Sequence, residues 1–127
     1  VPAPVSPYGV SKLAAEHLMV LYAKEFGVPS ASLRYFTVYG PRQRPDMAFR
    51  RFLTAALRGE EIVVYGNGEQ SRDFTFIEDI VRANLSAASS STSELVFNIG
   101  GGSRVTVNEV LSIIEQIVNR PLRIGYK

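Results

Sequence analysis

The sequence predicts an α/β fold, on three observations. Stretches with apolar residues at helical spacing alternate with short runs rich in β-branched and aromatic residues along the 127 positions. Glycine or proline marks nearly every junction between them. The composition, 46% hydrophobic and 20% charged, is that of a globular chain able to bury a modest core and excludes a disordered tail. No internal repeat is visible, and no run of about 18 apolar residues suggests a transmembrane helix.

The elements follow in order. In "VPAPVSP" a proline-rich loop ends in a helix start, with Ser6 as N-cap and Pro7 as the first helical residue. That helix is expected to run to about Phe26 and stop at Gly27. Val10, Leu13, Leu18 and Leu21 lie on one side of it and Met19, Tyr22 and Phe26 on others, which is wider than a single stripe. Cover on two sides is therefore expected, one a sheet and the other a second subunit or neighbouring helices. "PSASLRYFTVYG" reads as one strand between Pro29 and Gly40. "DMAFRRFLTAALRGE" reads as a helix ending at Gly59, and "EIVVYGNG" as a short strand followed by a turn. "SRDFTFIEDIVRANLSAAS" begins extended and becomes helical near Ile77. "SSSTSE" is a polar loop, and "LVFNIGGG" a strand running into a glycine turn. "TVNEVLSIIEQIVN" is a helix with a capping box from Thr106 to Glu109, and "PLRIGYK" is a last short strand.

Charge and special residues narrow the function classes. Fourteen basic against twelve acidic residues leave a net charge of +2, dispersed along the chain, so no nucleic-acid partner is expected. The absence of cysteine excludes a disulfide framework and thiolate metal sites. The only histidine, His17, sits among alanines and leucines of the first helix, so no metal centre is expected. The start of the chain lacks the charged-then-apolar form of a signal peptide. A cytoplasmic protein without membrane contact is the expectation.

Four stretches bring together residues with chemistry. Tyr8 and Lys12 stand four apart at the start of the first helix, on one face and one turn from each other. A tyrosine is a poor base near neutrality, and an ammonium close by favours its phenolate, which can take a proton from an alcohol. The same spacing also occurs on ordinary helix surfaces, so the pair needs partners. In "RYFTVYGPRQRPDM" a strand ends in a Gly-Pro turn followed by Arg42 and Arg44. Loops at strand ends bind ligands in α/β proteins, and the arginine fork suits phosphate or carboxylate. In "GNGEQSRDFTFIEDI", Arg72 follows a glycine turn between Gln70 and Asp73. It is either part of a surface hairpin paired with Asp73 or a diphosphate clamp. "NIGGGSRVTVNEV" has the outline of a phosphate loop, but the third glycine of G-x-G-x-x-G is replaced by Val105, so a plain turn is expected.

In this order and spacing, the set resembles the extended short-chain dehydrogenase/reductase family, the NAD-dependent sugar-nucleotide epimerases and dehydratases. "SPYGVSKLAAEHL" resembles its active-site helix, "LRYFTVYGPRQRPDM" its next strand and substrate loop, "GNGEQSRDFTFIEDIVRA" its diphosphate-binding segment, and "FNIGGG" its later region. The resemblance covers essentially all 127 residues and corresponds to the C-terminal half to two-thirds of such an enzyme. It implies a Rossmann-type fold joined to a small mixed α/β substrate-binding domain. Residues 1–40 and 75–100 would belong to the NAD-binding domain, and residues 41–74 and 101–127 to the UDP-sugar domain. Many members carry Asn where this chain has Thr37, and "FTVYGPRQRPDMAF" is most similar to the UDP-glucuronate 4-epimerase branch.

The resemblance further implies a 4-epimerisation through a transient 4-keto sugar with tightly bound NAD. Tyr8 would be the base and Lys12 its support and a contact to the nicotinamide ribose. Tyr35, Phe36 and Val38 would lie near the nicotinamide. Thr37 and Arg44 would hold the sugar carboxylate, and Arg51, Gln70 and Arg72 the UDP part. The family commonly pairs through its first helix, so a homodimer is expected. The family's glycine-rich cofactor loop and its catalytic Ser/Thr are not in the sequence and are expected upstream of Val1, in the N-terminal half of the same enzyme. The polypeptide by itself is expected to be inactive. The other readings are a UDP-glucose 4-epimerase, a further NAD-dependent epimerase or dehydratase, or a non-catalytic sugar-nucleotide-binding module.

Overall fold

The computed structural model describes residues 2–127. Helix α1, Pro7–Phe26, begins as expected: Ser6 Oγ accepts the Gly9 N–H at 3.1 Å, and Pro7 occupies the first turn. It stops at Gly27, whose φ of 64° is the left-handed cap that glycine adopts without strain. None of its 20 residues is buried. The two-sided cover expected for α1 is therefore not formed by the described residues. Its principal tie is to β1, Ser32–Tyr35, through a bidentate bond from Arg34 to Glu16 with N–O distances of 2.7 and 2.6 Å.

The single strand expected between Pro29 and Gly40 is corrected to two. β1 pairs in parallel with β6, Val96–Ile99, with Ser32 opposite Val96 and Tyr35 opposite Ile99. β2, Thr37–Tyr39, pairs in parallel with β5, Phe74–Phe76, with Thr37 opposite Phe74. Phe36 lies between them. Its N–H donates to Ile99 at 3.1 Å, while the next N–H, of Thr37, donates to Asp73 at 3.1 Å. The partner changes across one residue because β6 ends in the turn Gly100–Gly102 and β5 takes over. Local alternation carries no sign of this, since both halves keep an extended backbone.

Helix α2, Ala48–Arg58, precedes β3, Glu61–Val64, which pairs in parallel with β8, Arg123–Tyr126. β4, Ser71–Arg72, pairs with β7, Val105–Thr106, antiparallel, and not with β3. The hairpin reading of the Gly66–Gly68 turn is thus overturned, and β7 is a strand that the helical pattern beginning at Thr106 concealed. α3, Ile77–Ser89, follows β5 directly. Gly40 meets its first turn: a Cβ there would come within 2.6 Å of Ile77 Cγ2, and its φ of 141° also demands glycine.

The buried core lies in α2, β3 and helix α4, Val107–Val118: Ala56, Ile62, Val64, Val110, Leu111 and Ile114. Each is at most 5% exposed. The expected capping box opens α4. Thr106 Oγ1 accepts the Glu109 N–H at 3.1 Å, and Glu109 Oε2 accepts the Thr106 N–H at 2.6 Å. The Thr106 N–H, and after it the Thr106 hydroxyl that donates to the same oxygen at 2.9 Å, hold the Glu109 carboxyl below its ordinary value.

Candidate active site

Tyr8 and Lys12 stand together on the first turns of α1. The Lys12 ammonium lies 5.6 Å from the centroid of the Tyr8 ring, within cation–π range. Tyr8 is 71% exposed. Four residues after Lys12, at the spacing where a glutamate could take its ammonium, stands Glu16. Both Glu16 oxygens are instead occupied by Arg34, whose hydrogen bonds hold the Glu16 carboxyl below its ordinary value. Lys12 has no ion-pair partner among the described residues. It lines a cleft of about 320 Å³ with Pro2, Pro4, Gly9, Glu16 and Arg34.

A second cleft, of about 280 Å³, collects residues from six elements and the loops beside them. Thr37 enters from β2, Arg51 from α2, Arg72 from β4, and Gln70 from the preceding loop. Phe52, Tyr65 and Phe74 are among its aromatic walls. Gln70 is anchored by its amide nitrogen, which donates to the Tyr65 carbonyl at 2.9 Å. Arg72 donates to the Ser71 carbonyl at 3.0 Å, and not to Asp73. Two guanidiniums, an amide and a hydroxyl between aromatic walls suit a phosphate-bearing ligand with a planar ring. Arg44 stands apart from this lining. It pairs at 2.8 Å with Asp46, which does line the cleft, and both side chains are more than two-thirds exposed. Such a surface pair is worth about 0–1 kcal/mol, so a ligand carboxylate can compete for Arg44.

The expected residues around Phe36 divide. The Tyr35 hydroxyl donates to Asn84 Oδ1 at 2.9 Å, which fixes it to α3. Phe36 packs over Gly100, and Val38 is half-buried opposite Thr75. The two groups foreseen as one site, Tyr8 with Lys12 and Thr37 with Arg51, Gln70 and Arg72, line separate clefts. Asp73 and the Arg34–Glu16 tie were not foreseen. Nothing in the sequence signalled the tie, because Arg34 and Glu16 stand 18 residues apart.

The profile of the NAD dependent epimerase/dehydratase family matches residues 1–100. The chain belongs to this family. An uncharacterized UDP-glucose epimerase of Bacillus subtilis is 48% identical over 120 residues, which is 93% of this chain and 38% of that protein. The UDP-glucuronate 4-epimerase of Thermodesulfobacterium geofontis is 36% identical over 127 residues, 99% of this chain and 39% of that one. The crystal structure of the Bacillus cereus UDP-glucuronic acid 4-epimerase, in complex with UDP-glucuronic acid and NAD, superposes with a TM-score of 0.92 at 42% identity. It covers 99% of this chain and 41% of that one. The α/β arrangement is therefore that of the Rossmann-type NAD-dependent epimerases, and the chain spans about two-fifths of the length of these relatives.

The Lys12 ammonium, without an ion-pair partner among the described residues, and the exposed Tyr8 hydroxyl suit ribose hydroxyls, so this donor set fits the nicotinamide-ribose end of NAD. The glycine turn after β6 does not offer a pyrophosphate cradle. The N–H groups of Gly101 and Gly102 already donate to the Asp73 carboxylate, at 2.7 and 3.1 Å. No group of three or more potential metal ligands occurs among the described residues, and no helix there is long and apolar enough to cross a membrane.

Proposed function

We propose that these residues serve an NAD-dependent 4-epimerase of UDP-sugars whose substrate is UDP-glucuronate and whose product is UDP-galacturonate. The observation that carries this reading is the convergence of Thr37, Arg51, Gln70 and Arg72 on one cleft. The relatives, named as UDP-glucose and UDP-glucuronate epimerases, support a UDP-sugar. NAD, when bound, supplies a reversible hydride acceptor for C4 of the sugar. Tyr8, as phenolate, takes the proton of the 4-hydroxyl and later returns it, while Lys12 stabilises the phenolate and binds the nicotinamide ribose. Tyr35, Phe36 and Val38 form the wall beside the nicotinamide. Arg51 and Arg72 hold the diphosphate, and Gln70 the nucleotide beside it, while the 4-keto sugar turns over. Residues 1–40 and 75–100 serve the cofactor in this reading, and residues 41–74 and 101–127 serve the UDP-sugar.

A 4-keto uronic acid is a β-keto acid and loses carbon dioxide when its carboxyl bond aligns with the carbonyl π system. Thr37 and Arg44 oppose that alignment by holding the carboxylate. Charge-assisted bonds of about 1.5–3 kcal/mol each suffice to bias one rotamer. Arg44→Ala in the intact enzyme is expected to lower UDP-glucuronate turnover at least tenfold, with residual flux leaking to the UDP-pentose. Product analysis by mass spectrometry checks this, and undiminished turnover without decarboxylation refutes the role.

UDP-glucose is the second reading. Arg44 bound to Asp46, outside the cleft lining, and the 48% identical relative favour it. Parallel assays on UDP-glucuronate and UDP-glucose separate the two. A homodimer through α1 is also proposed, because Val10, Leu18, Leu21, Tyr22 and Phe26 are each about half exposed or more. Sedimentation of the intact protein as a monomer at micromolar concentration would remove that proposal.

A further inference from the structure

We propose that Asp73 is a positioning residue. Its carboxylate pins the glycine turn after β6, and so holds the strand switch at Phe36 that aims Thr37 into the cleft already occupied by Arg72. The inference rests on the reading of that cleft as the UDP-sugar site.

Asp73 joins three segments. Its oxygens accept the N–H groups of Gly101 and Gly102, and the Thr75 hydroxyl lies 3.5 Å from Oδ1. Thr75 is buried and Asp73 half-buried, so this long contact is partly sheltered from solvent. The Asp73 backbone carbonyl accepts the N–H of Thr37. The contacts are close enough to exclude side chains. A Cβ on Gly100 would stand 2.8 Å from Asp73 Oδ2 and 3.0 Å from Phe36 Cδ2, and one on Gly101 would stand 2.8 Å from the Phe74 carbonyl. Turn, carboxylate and Phe36 therefore form one packed unit at the point where the strand changes partner. Each amide takes its own carboxylate oxygen, whereas asparagine in the same rotamer turns an N–H₂ toward one of the two N–H groups. Arg72 is held separately, by the β4–β7 ladder opposite Val105. Loss of the pin thus displaces the sugar end of the cleft and leaves the diphosphate end in place.

The test compares the intact enzyme with its Asp73→Asn variant in three measurements. Amide exchange at Gly101, Gly102 and Thr37 is expected to accelerate together by about tenfold or more. Turnover of the UDP-sugar is expected to fall about 10- to 100-fold in kcat. Affinity for UDP alone, read by calorimetry, is expected to stay within about twofold, because it depends on groups the pin does not hold. Asp73→Glu, which keeps the charged acceptors, is expected to recover part of kcat. A variant that simply loosens the whole fold would lower UDP affinity along with kcat, and that result overturns the proposal, as does unchanged exchange at the two glycines. Should Asp73→Asn not fold, Gly100→Ala breaks the same packing from the other side and is expected to give the same split. Wild-type kcat in Gly100→Ala would count against the pin. If the unsubstituted enzyme turns over no UDP-sugar, the functional reading fails while the exchange comparison still decides the role of Asp73.

Discussion

Tyr8→Phe in the intact enzyme is expected to lower UDP-sugar turnover by about 10²–10⁴-fold, the usual contribution of a positioned acid–base group. Affinity for UDP is expected to remain within about twofold, since the hydroxyl stands on α1 and the arginine cleft does not include it. The reasoning is local. The phenol is exposed, its hydroxyl is not tied to the protein among the described residues, and the Lys12 ammonium lies over its ring. A phenylalanine keeps the ring, its packing and the cation–π contact, and removes only the group that carries the proton. Steady-state kinetics with calorimetry on the same preparations decide the matter. Turnover within a few-fold of wild type would exclude Tyr8 as the base, and a parallel loss of UDP binding would mean that the helix had moved.

Arg34→Met is the second substitution with a large expected effect, although Arg34 touches no proposed ligand. At neutral pH its guanidinium occupies both oxygens of Glu16. Without it, the Glu16 carboxylate is left one turn from Lys12, at the spacing that favours an ion pair. Lys12 captured in this way is lost to Tyr8 and to the cofactor ribose, and kcat is expected to fall about tenfold or more. The double variant with Glu16→Gln is expected to regain activity over Arg34→Met, because the competing charge is gone. Kinetics of the three proteins at pH 7 test this, and unchanged activity in the single variant defeats the idea. The pH dependence has a defined sign. Arg34 lowers the Glu16 carboxyl below its ordinary value of 4.5, so the tie contributes in full above that value and is lost as the pH falls through the lowered one. Docking of α1 onto β1 should therefore weaken on acidification and not on mild alkalinisation.

The elements of this fold were largely legible because their signals are local. Ser6 with Pro7, Gly27, Gly59 and the Thr106–Glu109 box each mark a helix end by the geometry of one or two residues. The strand switch at Phe36 was not legible, because pairing depends on residues far along the chain while Arg34 to Tyr39 simply read as extended. For the same reason β7 went unseen, and the hairpin that stood as one of two readings of the Gly66–Gly68 turn does not form. Of the candidate site, the grouping of Thr37, Arg51, Gln70 and Arg72 was suggested by side-chain chemistry, while its separation from the Tyr8–Lys12 cleft and the place of Arg44 outside it were not. What holds that chemistry in place was hidden. Asp73 looked like the partner of Arg72, but its carboxylate serves two amides beyond β6. Glu16 carried no signal of its own; both its oxygens are taken by Arg34, which leaves Lys12 without that partner.

The pairing of the strands also bears on how fast such a chain can fold. Among the described residues no strand pairs with its neighbour in sequence: Ser32 meets Val96, Thr37 meets Phe74, Glu61 meets Arg123 and Ser71 meets Thr106. There is no hairpin to form early, so each ladder requires a long loop to close before its first hydrogen bond is gained. Helices α1 to α4 can form transiently on their own, but the sheets must wait for chain ends to meet. Collapse is thus placed ahead of registry, and unpaired strand edges stay exposed for longer during synthesis than in a meander of the same size.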